Sequence, residues 1–420
     1  MTKEFIKNLL KEQKEKFLQR DCGLEREILH LFDEKIKLPH AIIISGMRRT
    51  GKSTLLAQIA HQYYSDLSFY YINFDDERWF GFEAKDFNII YECLFELFGE
   101  AKTFLIDEIQ NIKGFELFVR RFYDDGFKFI ITGSNSDILS KELGTRLTGR
   151  HIMAMVYPFS WKEYLLFNKI EIPENYTFTT NQRIIYNKAF EEYLVYGGMP
   201  EYIKYKNDEI LQQVYEDIVI KDIAVRFNIN NITPLRELYL YLITNFTNRY
   251  NYNSLSKNLL IQSRTTIMNY LFYLELTYFA KQIRKFDFSL QKSLKNDKKI
   301  YFNDNGFIPI LSQSVTKDKG HLLENLVFNY LKKSQEVYFY SNKGECDFIT
   351  TNNKTITGIY QVCYNLNDAN KKREIDGLIE AMEYTGISKA YLLNTENEDT
   401  IKINEKEIQV IPVWKWLLTN

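Results

Sequence analysis

The sequence predicts an α/β protein built on an open sheet of buried strands, followed by helical and smaller α/β parts. Three stretches carry that prediction. Residues 41–44 are a β-branched run that stops at Ser45-Gly46, and an apolar helical pattern (Leu55, Leu56, Ile59, Ala60) starts near Lys52. Residues 102–109 are an apolar run ending in adjacent acids, Asp107 and Glu108. Residues 128–135 form another apolar run that ends in Gly133, Ser134 and Asn135. Short apolar strands that alternate with helical segments read as a sheet covered on both faces.

Between the first strand and its helix lies Gly46-Met47-Arg48-Arg49-Thr50-Gly51-Lys52-Ser53-Thr54. This is the G-x-x-x-x-G-K-S phosphate-binding pattern in the strand–loop–helix context it requires. Gly46 and Gly51 let the backbone wrap closely around phosphates. The loop N–H groups, through Arg49, Thr50 and Thr54, and the positive end of the helix complement their charge. Lys52 would reach the β- and γ-phosphates, and the Ser53 hydroxyl would hold Mg²⁺. Asp107 would support Mg²⁺ through Ser53 or water, and Glu108 would polarise the attacking water. A polar side chain on the 128–135 strand would sense the γ-phosphate. Ser134 and Asn135 are equal candidates, and either is also explained as part of a Gly-Ser-Asn turn. The pattern predicts binding of a nucleoside triphosphate, with ATP and Mg as the expected cofactors.

Composition narrows the class without naming it. The 420 residues leave room for about three domains. A charged fraction of 26%, a hydrophobic fraction of 45% and a net charge of −1 exclude a globally basic nucleic-acid binder, though not a local basic face. Cys22, Cys93, Cys346 and Cys363 have no paired spacing, which argues against a disulfide framework or a zinc site. The first residues lack the apolar core of a signal peptide, and no stretch approaches a membrane span. A cytoplasmic protein without membrane contact is expected.

Along the chain, residues 3–20 and 25–37 carry helical apolar spacing, and residues 69–74 read as a strand followed by the acids Asp75, Asp76 and Glu77. Residues 214–225 read as one apolar helix, and Gly197-Gly198-Met199-Pro200 as a turn or hinge. From residue 233, three helical segments precede two short strands, 279–286 and 298–302. That order reads as a winged helix-turn-helix. Arg264, Thr265 and Thr266 would face a groove, and Lys292, Lys295, Lys298 and Lys299 would lie at the wing tip to meet phosphates. The bland reading is a winged helix that only joins domains or binds protein.

The phosphate loop, the Asp-Glu strand, the Thr132-Gly133-Ser134-Asn135 strand end and the element from Leu143 through Arg146 to Arg150 together resemble the AAA+ ATPases. The segments 157–164 and 196–200 narrow this to the prokaryotic P-loop group with a C-terminal restriction-endonuclease-like domain of unknown function. The resemblance spans nearly the whole chain. It implies an AAA+ core over 1–158, a helical lid over 159–232 and a nuclease-like domain over 317–420, and the winged helix read from the residue pattern occupies 233–316 between them. It also makes Arg150, and after it Arg146, candidate arginine fingers that act on a neighbour's nucleotide, which requires a homo-oligomer. A surface arginine paired with an acid is the plainer account.

The last hundred residues resemble the PD-(D/E)XK nuclease core, in which a helix Glu, a strand Asp and Glu-x-Lys gather Mg²⁺ and water. Glu324 and Asp347 match. Gln361 and Cys363 stand where Glu and Lys are expected, so neither the carboxylate nor the cation is supplied. The domain reads as an inactive nuclease fold used for binding. The sequence thus leads to an ATPase that couples nucleotide state to a partner, duplex DNA or else a protein. The alternatives are a slowly hydrolysing signalling switch and an ATP-regulated nuclease.

Overall fold

The computed structural model describes residues 2–133, 149–174, 176, 178–261, 263–313 and 318–420. Two compact units make up the chain: Met1–Tyr157 with Leu276–Tyr278, and Pro158–Glu275 with Phe279–Asn420.

In the first unit, strands β1 (Ala41–Ser45), β2 (Tyr70–Asn73), β3 (Thr103–Asp107), β4 (Lys128–Gly133) and β5 (His151–Met155) form one sheet in the order β2-β3-β4-β1-β5. Every pairing in it is parallel. Successive side chains alternate between faces. Ile43, Ile72, Phe104, Ile106, Phe129 and Ile131 pack one core with helices Lys3–Leu18, Phe87–Phe98 and Phe115–Asp124. Ile42, Ile44, Tyr71, Leu105 and Ile130 pack the other with helix Lys52–Tyr63. The abundant phenylalanines do packing work: Phe87 stacks on Phe118 at 4.2 Å, and Phe104 meets Phe118, Phe122, Phe127 and Phe129. Each such pair adds about 0.5–1.5 kcal/mol beyond the area it buries.

The helix expected over 25–37 is instead a 3₁₀ turn, Glu27–Leu31, and a single α turn, Phe32–Lys35. Only Leu29 and Phe32 are buried there, and Arg26 holds the preceding backbone extended. Asp76 has a structural use. Its carboxylate receives Arg78 Nη2 at 2.7 Å and Gln13 Nε2 at 3.0 Å, while Arg78 Nη1 reaches Glu12 at 2.6 Å, tying the first helix to the end of β2.

The second unit opens with helices Trp161–Phe167, Thr180–Tyr196, Pro200–Tyr205 and Asp208–Asp217. The single helix expected over 214–225 changes pitch at Ile218 and runs as a π-helix to Val225. Helices Thr233–Thr244, Tyr252–Asn258 and Arg264–Leu276 follow, then an antiparallel pair, β6 (Ala280–Arg284) and β7 (Lys298–Phe302). A helix, Leu290–Lys295, fills the connection between β6 and β7. After helix Lys319–Leu331 come β8 (Glu336–Ser341), β9 (Glu345–Asn352), β10 (Thr355–Val362), β11 (Lys389–Asn394), β12 (Asp399–Ile403) and β13 (Lys406–Pro412). They form a mixed sheet in the order β12-β13-β11-β10-β9-β8. Helix Asp368–Thr385 makes the crossover between the parallel neighbours β10 and β11.

The Gly197-Gly198 element is a turn, as expected, but its surroundings do not suit a hinge. A Cβ at Gly198 would fall 2.3 Å from the Phe159 carbonyl oxygen, and the Phe159 N–H donates to the Gly198 carbonyl at 2.7 Å. The Gly198 N–H donates to the buried Asp304 carboxylate at 2.6 Å. The neighbouring Asn305 amide donates to Leu194 at 2.8 Å and Leu322 at 2.9 Å, and Asn325 donates to Asn305 Oδ1 at 2.7 Å. Residues 303–306 therefore knot three parts of this unit together through buried, satisfied polar groups.

Candidate functional site

Three strand ends build the site in the first unit. β1 runs into the phosphate loop, where Gly46 has φ 151° and a Cβ would lie 2.2 Å from the Val156 carbonyl oxygen. No side chain fits there. Gly51, at φ 97°, opens helix Lys52–Tyr63, so the helix N-terminus faces the loop. Lys52 is buried, and its Nζ donates to the carbonyls of Gly46 at 3.0 Å and Met47 at 3.1 Å. Thr50 is fully buried, with its hydroxyl donating to the Met47 carbonyl at 2.9 Å, so it shapes the loop from inside. Arg49 lies exposed at φ 60°, and Ser53 and Thr54 are half-buried on the first helical turn.

β3 ends at Asp107, a buried carboxylate that receives a hydrogen bond from the Ser53 hydroxyl. Burial raises the Asp107 carboxyl above its usual range, the charge of Glu108 adds to this, and bonds from Thr132 and Ser53 oppose it. Glu108 follows in the left-handed region at φ 51°, an uncommon conformation for a non-glycine residue that aims it away from the strand line. Gln110 donates to the Glu108 carboxylate.

β4 lies between β1 and β3 and contributes Thr132. Its hydroxyl donates to the Asp107 carboxylate and accepts the Glu108 N–H at 3.0 Å, fixing both acids at once. Neither Thr132 nor Gln110 was among the expected site residues. The available signal was a lone polar residue inside the apolar 128–133 run. Arg26 was also missed. It is 5% exposed, donates from Nη1 to the Thr50 carbonyl and from Nη2 to the Tyr157 carbonyl, each at 2.7 Å, and so braces the crest of the phosphate loop.

Ser134, Asn135 and Arg146 lie outside the described residues. Arg150 precedes β5 at the sheet edge opposite the phosphate loop, since Ala41, at the start of β1, pairs with His151. Its guanidinium is half exposed and pairs with Asp124 at 2.7 Å.

In the second unit, Arg264 and Thr265 are exposed on helix Arg264–Leu276, and Thr266 is half-buried. Lys298 corrects an expectation. It is buried, its Nζ donates to the carbonyls of Leu294 at 3.3 Å and Asn296 at 3.1 Å, and it lies 4.7 Å from the Tyr252 ring centroid. Lys299 is buried as well, so neither lysine reaches a wing tip. Lys298 and Lys299 are buried on opposite faces of β7, while Lys292 and Lys295 on the preceding helix are exposed.

Glu324 and Asp347 do converge, from helix Lys319–Leu331 and β9, and both face Lys299. Gln361 is oriented elsewhere. Its carbonyl accepts the Asp347 N–H at 3.2 Å and its amide donates to Glu374 at 2.7 Å. Cys363 is buried, its Sγ lies 3.2 Å from the Asn365 carbonyl, and burial pushes its thiol up to about 11. Among the described residues no group of three or more His, Cys, Asp or Glu side chains is arranged to hold a metal ion, and no helix is long and apolar enough to cross a membrane.

Residues 38–165 match the family described as an AAA domain, and residues 187–318 match a domain of unknown function, DUF8612. The uncharacterized protein MJ1544 of Methanocaldococcus jannaschii is 32% identical over 99% of this chain and 94% of its own length. An uncharacterized protein of Haemophilus influenzae is 29% identical over 90% of this chain and 94% of its own length. AMPPCP-bound DnaA from Aquifex aeolicus overlays 59% of this chain and 86% of its own, at 16% identity and a TM-score of 0.27, a level that says nothing about function. The chain carries a P-loop AAA domain and belongs to the family of the uncharacterized protein MJ1544 of Methanocaldococcus jannaschii.

Proposed function

We propose that the protein is a Mg-dependent ATPase that couples its nucleotide state to partner binding through the second unit. The observation that carries this is the convergence of Lys52, Ser53, Asp107, Glu108 and Thr132 at the ends of three neighbouring parallel strands. Ser53 and Asp107 are hard oxygen donors already in contact, which suits Mg²⁺. They would hold the ion, which would neutralise charge on the phosphate oxygens. Lys52 would exchange its two loop carbonyls for the β- and γ-phosphates, at little cost because its charge stays solvated by oxygen atoms. Glu108 would take a proton from the attacking water, with its backbone held by Thr132. Arg150, turned away from its own phosphate loop, would serve only a neighbouring copy in a homo-oligomer.

Partner binding would fall to helix Arg264–Leu276. Arg264 and Thr265 suit duplex DNA, as do the exposed Lys292 and Lys295 of the later helix, while Met268 and Phe272 are exposed at helical spacing from Arg264 and suit a protein surface. A slow signalling switch is the second reading. The Gln110 bond to Glu108 favours it, because the carboxylate has to give up that bond before it can turn to a water molecule.

The test is ATP turnover with and without duplex DNA, with Lys52→Ala as control. DNA stimulation that disappears in the control supports coupling to nucleic acid. Turnover indifferent to DNA moves the reading to a protein-directed switch, and no turnover above the Lys52→Ala level removes the ATPase reading.

A further inference from the structure

Three carboxylates of the C-terminal fold close around one ammonium group that comes from outside that fold. Lys299 belongs to β7, the hairpin strand. Its Nζ lies 3.1 Å from Glu324 Oε1, 3.1 Å from Glu345 Oε1 and 3.8 Å from Asp347 Oδ1. The lysine side chain is 5% exposed and those of Glu324 and Asp347 are 10% exposed, so water screens these three little, while Glu345 closes the outer side at 37% exposed. Tyr301, two residues along β7, donates to the same Glu324 oxygen at 2.6 Å. Arg249 Nη2 covers the outer side of Glu345 at 3.1 Å, and His321 Nδ1 lies 3.9 Å from Glu324 Oε2. The Val362 N–H donates to Asp347 Oδ2 at 2.8 Å.

Glu324 and Asp347, buried and facing the same point, are kept from ionising together unless a cation lies between them. In a hydrolytic site that cation is divalent, with oxygen ligands at about 2.0–2.6 Å. Here the contacts have the lengths of N–H···O hydrogen bonds. Burial works against the charge on Lys299, but the combined attraction of Glu324, Asp347 and Glu345 outweighs it and raises the lysine pKa. Gln361, which occupies the third ligand position of the nuclease-like pattern, is committed to Asp347 and Glu374. The cluster is complete as it stands.

We propose that Lys299 takes the place of a divalent cation among Glu324, Glu345 and Asp347, making the nuclease-like centre a metal-free clasp on the β6–β7 hairpin. The C-terminal sheet then holds the hairpin by an internal ion cluster rather than offering a hydrolytic site. The segment just after β6 supports the same attachment, where the Phe286 N–H donates to the carbonyl of Phe339 on β8 at 2.7 Å. This clasp does not depend on nucleotide chemistry in the first unit.

Two measurements on the full chain test it. In the first, wild-type protein is loaded with Fe²⁺, ascorbate and peroxide are added, and backbone cleavage is mapped by mass spectrometry. No cuts beside Glu324 or Asp347 are expected, whatever occurs near Ser53 and Asp107. Metal-dependent cuts beside Glu324 and Asp347 would overturn the proposal. In the second, Lys299→Met is compared with wild type by calorimetry. Removing the cation leaves buried charge uncompensated, so the transition of the second unit should fall by roughly 10 °C, with Lys299→Arg retaining part of the difference. A Lys299→Met transition within 2 °C of wild type, a limit of roughly 1 kcal/mol, would also overturn it.

Discussion

Two buried aspartates sit on strands of this chain with a second acid close by in sequence, Asp107 next to Glu108 and Asp347 two residues after Glu345, and they meet different partners. Asp107 meets hydroxyls, from Ser53 and Thr132, in front of a glycine-lined loop. Asp347 faces the ammonium of Lys299. Burial raises both carboxyls above their usual range. What differs is the third partner. A hydroxyl keeps its oxygen available to a cation, whereas an ammonium group is itself the cation and leaves no place for another. Local sequence marks both aspartates as site residues, and the long-range neighbour decides which one can work.

The sharpest way to break the comparison is to remove an acid from each centre. Glu108→Gln should lower ATP turnover by about 10²–10⁴-fold, measured as phosphate release, while a fluorescent-nucleotide titration shows binding retained. Asp347→Asn should leave turnover within about twofold, because its partners, Lys299 and the Val362 N–H, are not partners of Asp107 or Glu108 among the described residues. Equal losses from the two variants would erase the distinction.

A smaller effect probes how the first centre is held. Thr132→Val keeps the shape of the strand residue but removes the hydroxyl shared by Asp107 and the Glu108 N–H. Loss of that bond should reduce kcat by about tenfold with little change in KM, corresponding to roughly 1.4 kcal/mol of positioning. A change confined to KM would instead place Thr132 in substrate binding.

The smallest effect concerns the second unit and its pH response. Burial raises the Asp304 carboxyl to about 7, against the bonds it accepts from the Gly198 and Gly306 N–H groups. A raised folded-state pKa means the neutral carboxyl contributes stability below its unfolded value. That contribution is lost as the pH rises through about 7. The melting-temperature gap between wild type and Asp304→Asn should therefore be a few degrees wider at mildly acid pH than at mildly alkaline pH. A gap independent of pH would show that Asp304 is already ionised throughout.

The parallel sheet and its phosphate loop were legible because their signals are local. Apolar runs, Gly46 and Gly51, and the acids closing β3 each follow from a few adjacent residues. The helices Lys3–Leu18 and Lys52–Tyr63 were legible for the same reason, whereas Phe87–Phe98 and Phe115–Asp124 were not singled out. The π-helical stretch Ile218–Val225 was not, since α and π pitches share one apolar composition. Lys298 and Lys299 were misplaced because two adjacent lysines look like a solvated tip, and nothing nearby in sequence announces Tyr252 or Glu324 as their partners.

Spacing over a few residues is enough to mark the buried strands, the loop that can cradle a phosphate and the acids that close β3. The bridge from Thr132 to both acids of the first centre, and the seat of Lys299 in the second, emerge once the chain is folded. Those outcomes depend on which charges and hydroxyls meet across tens of residues in a medium where water no longer screens them.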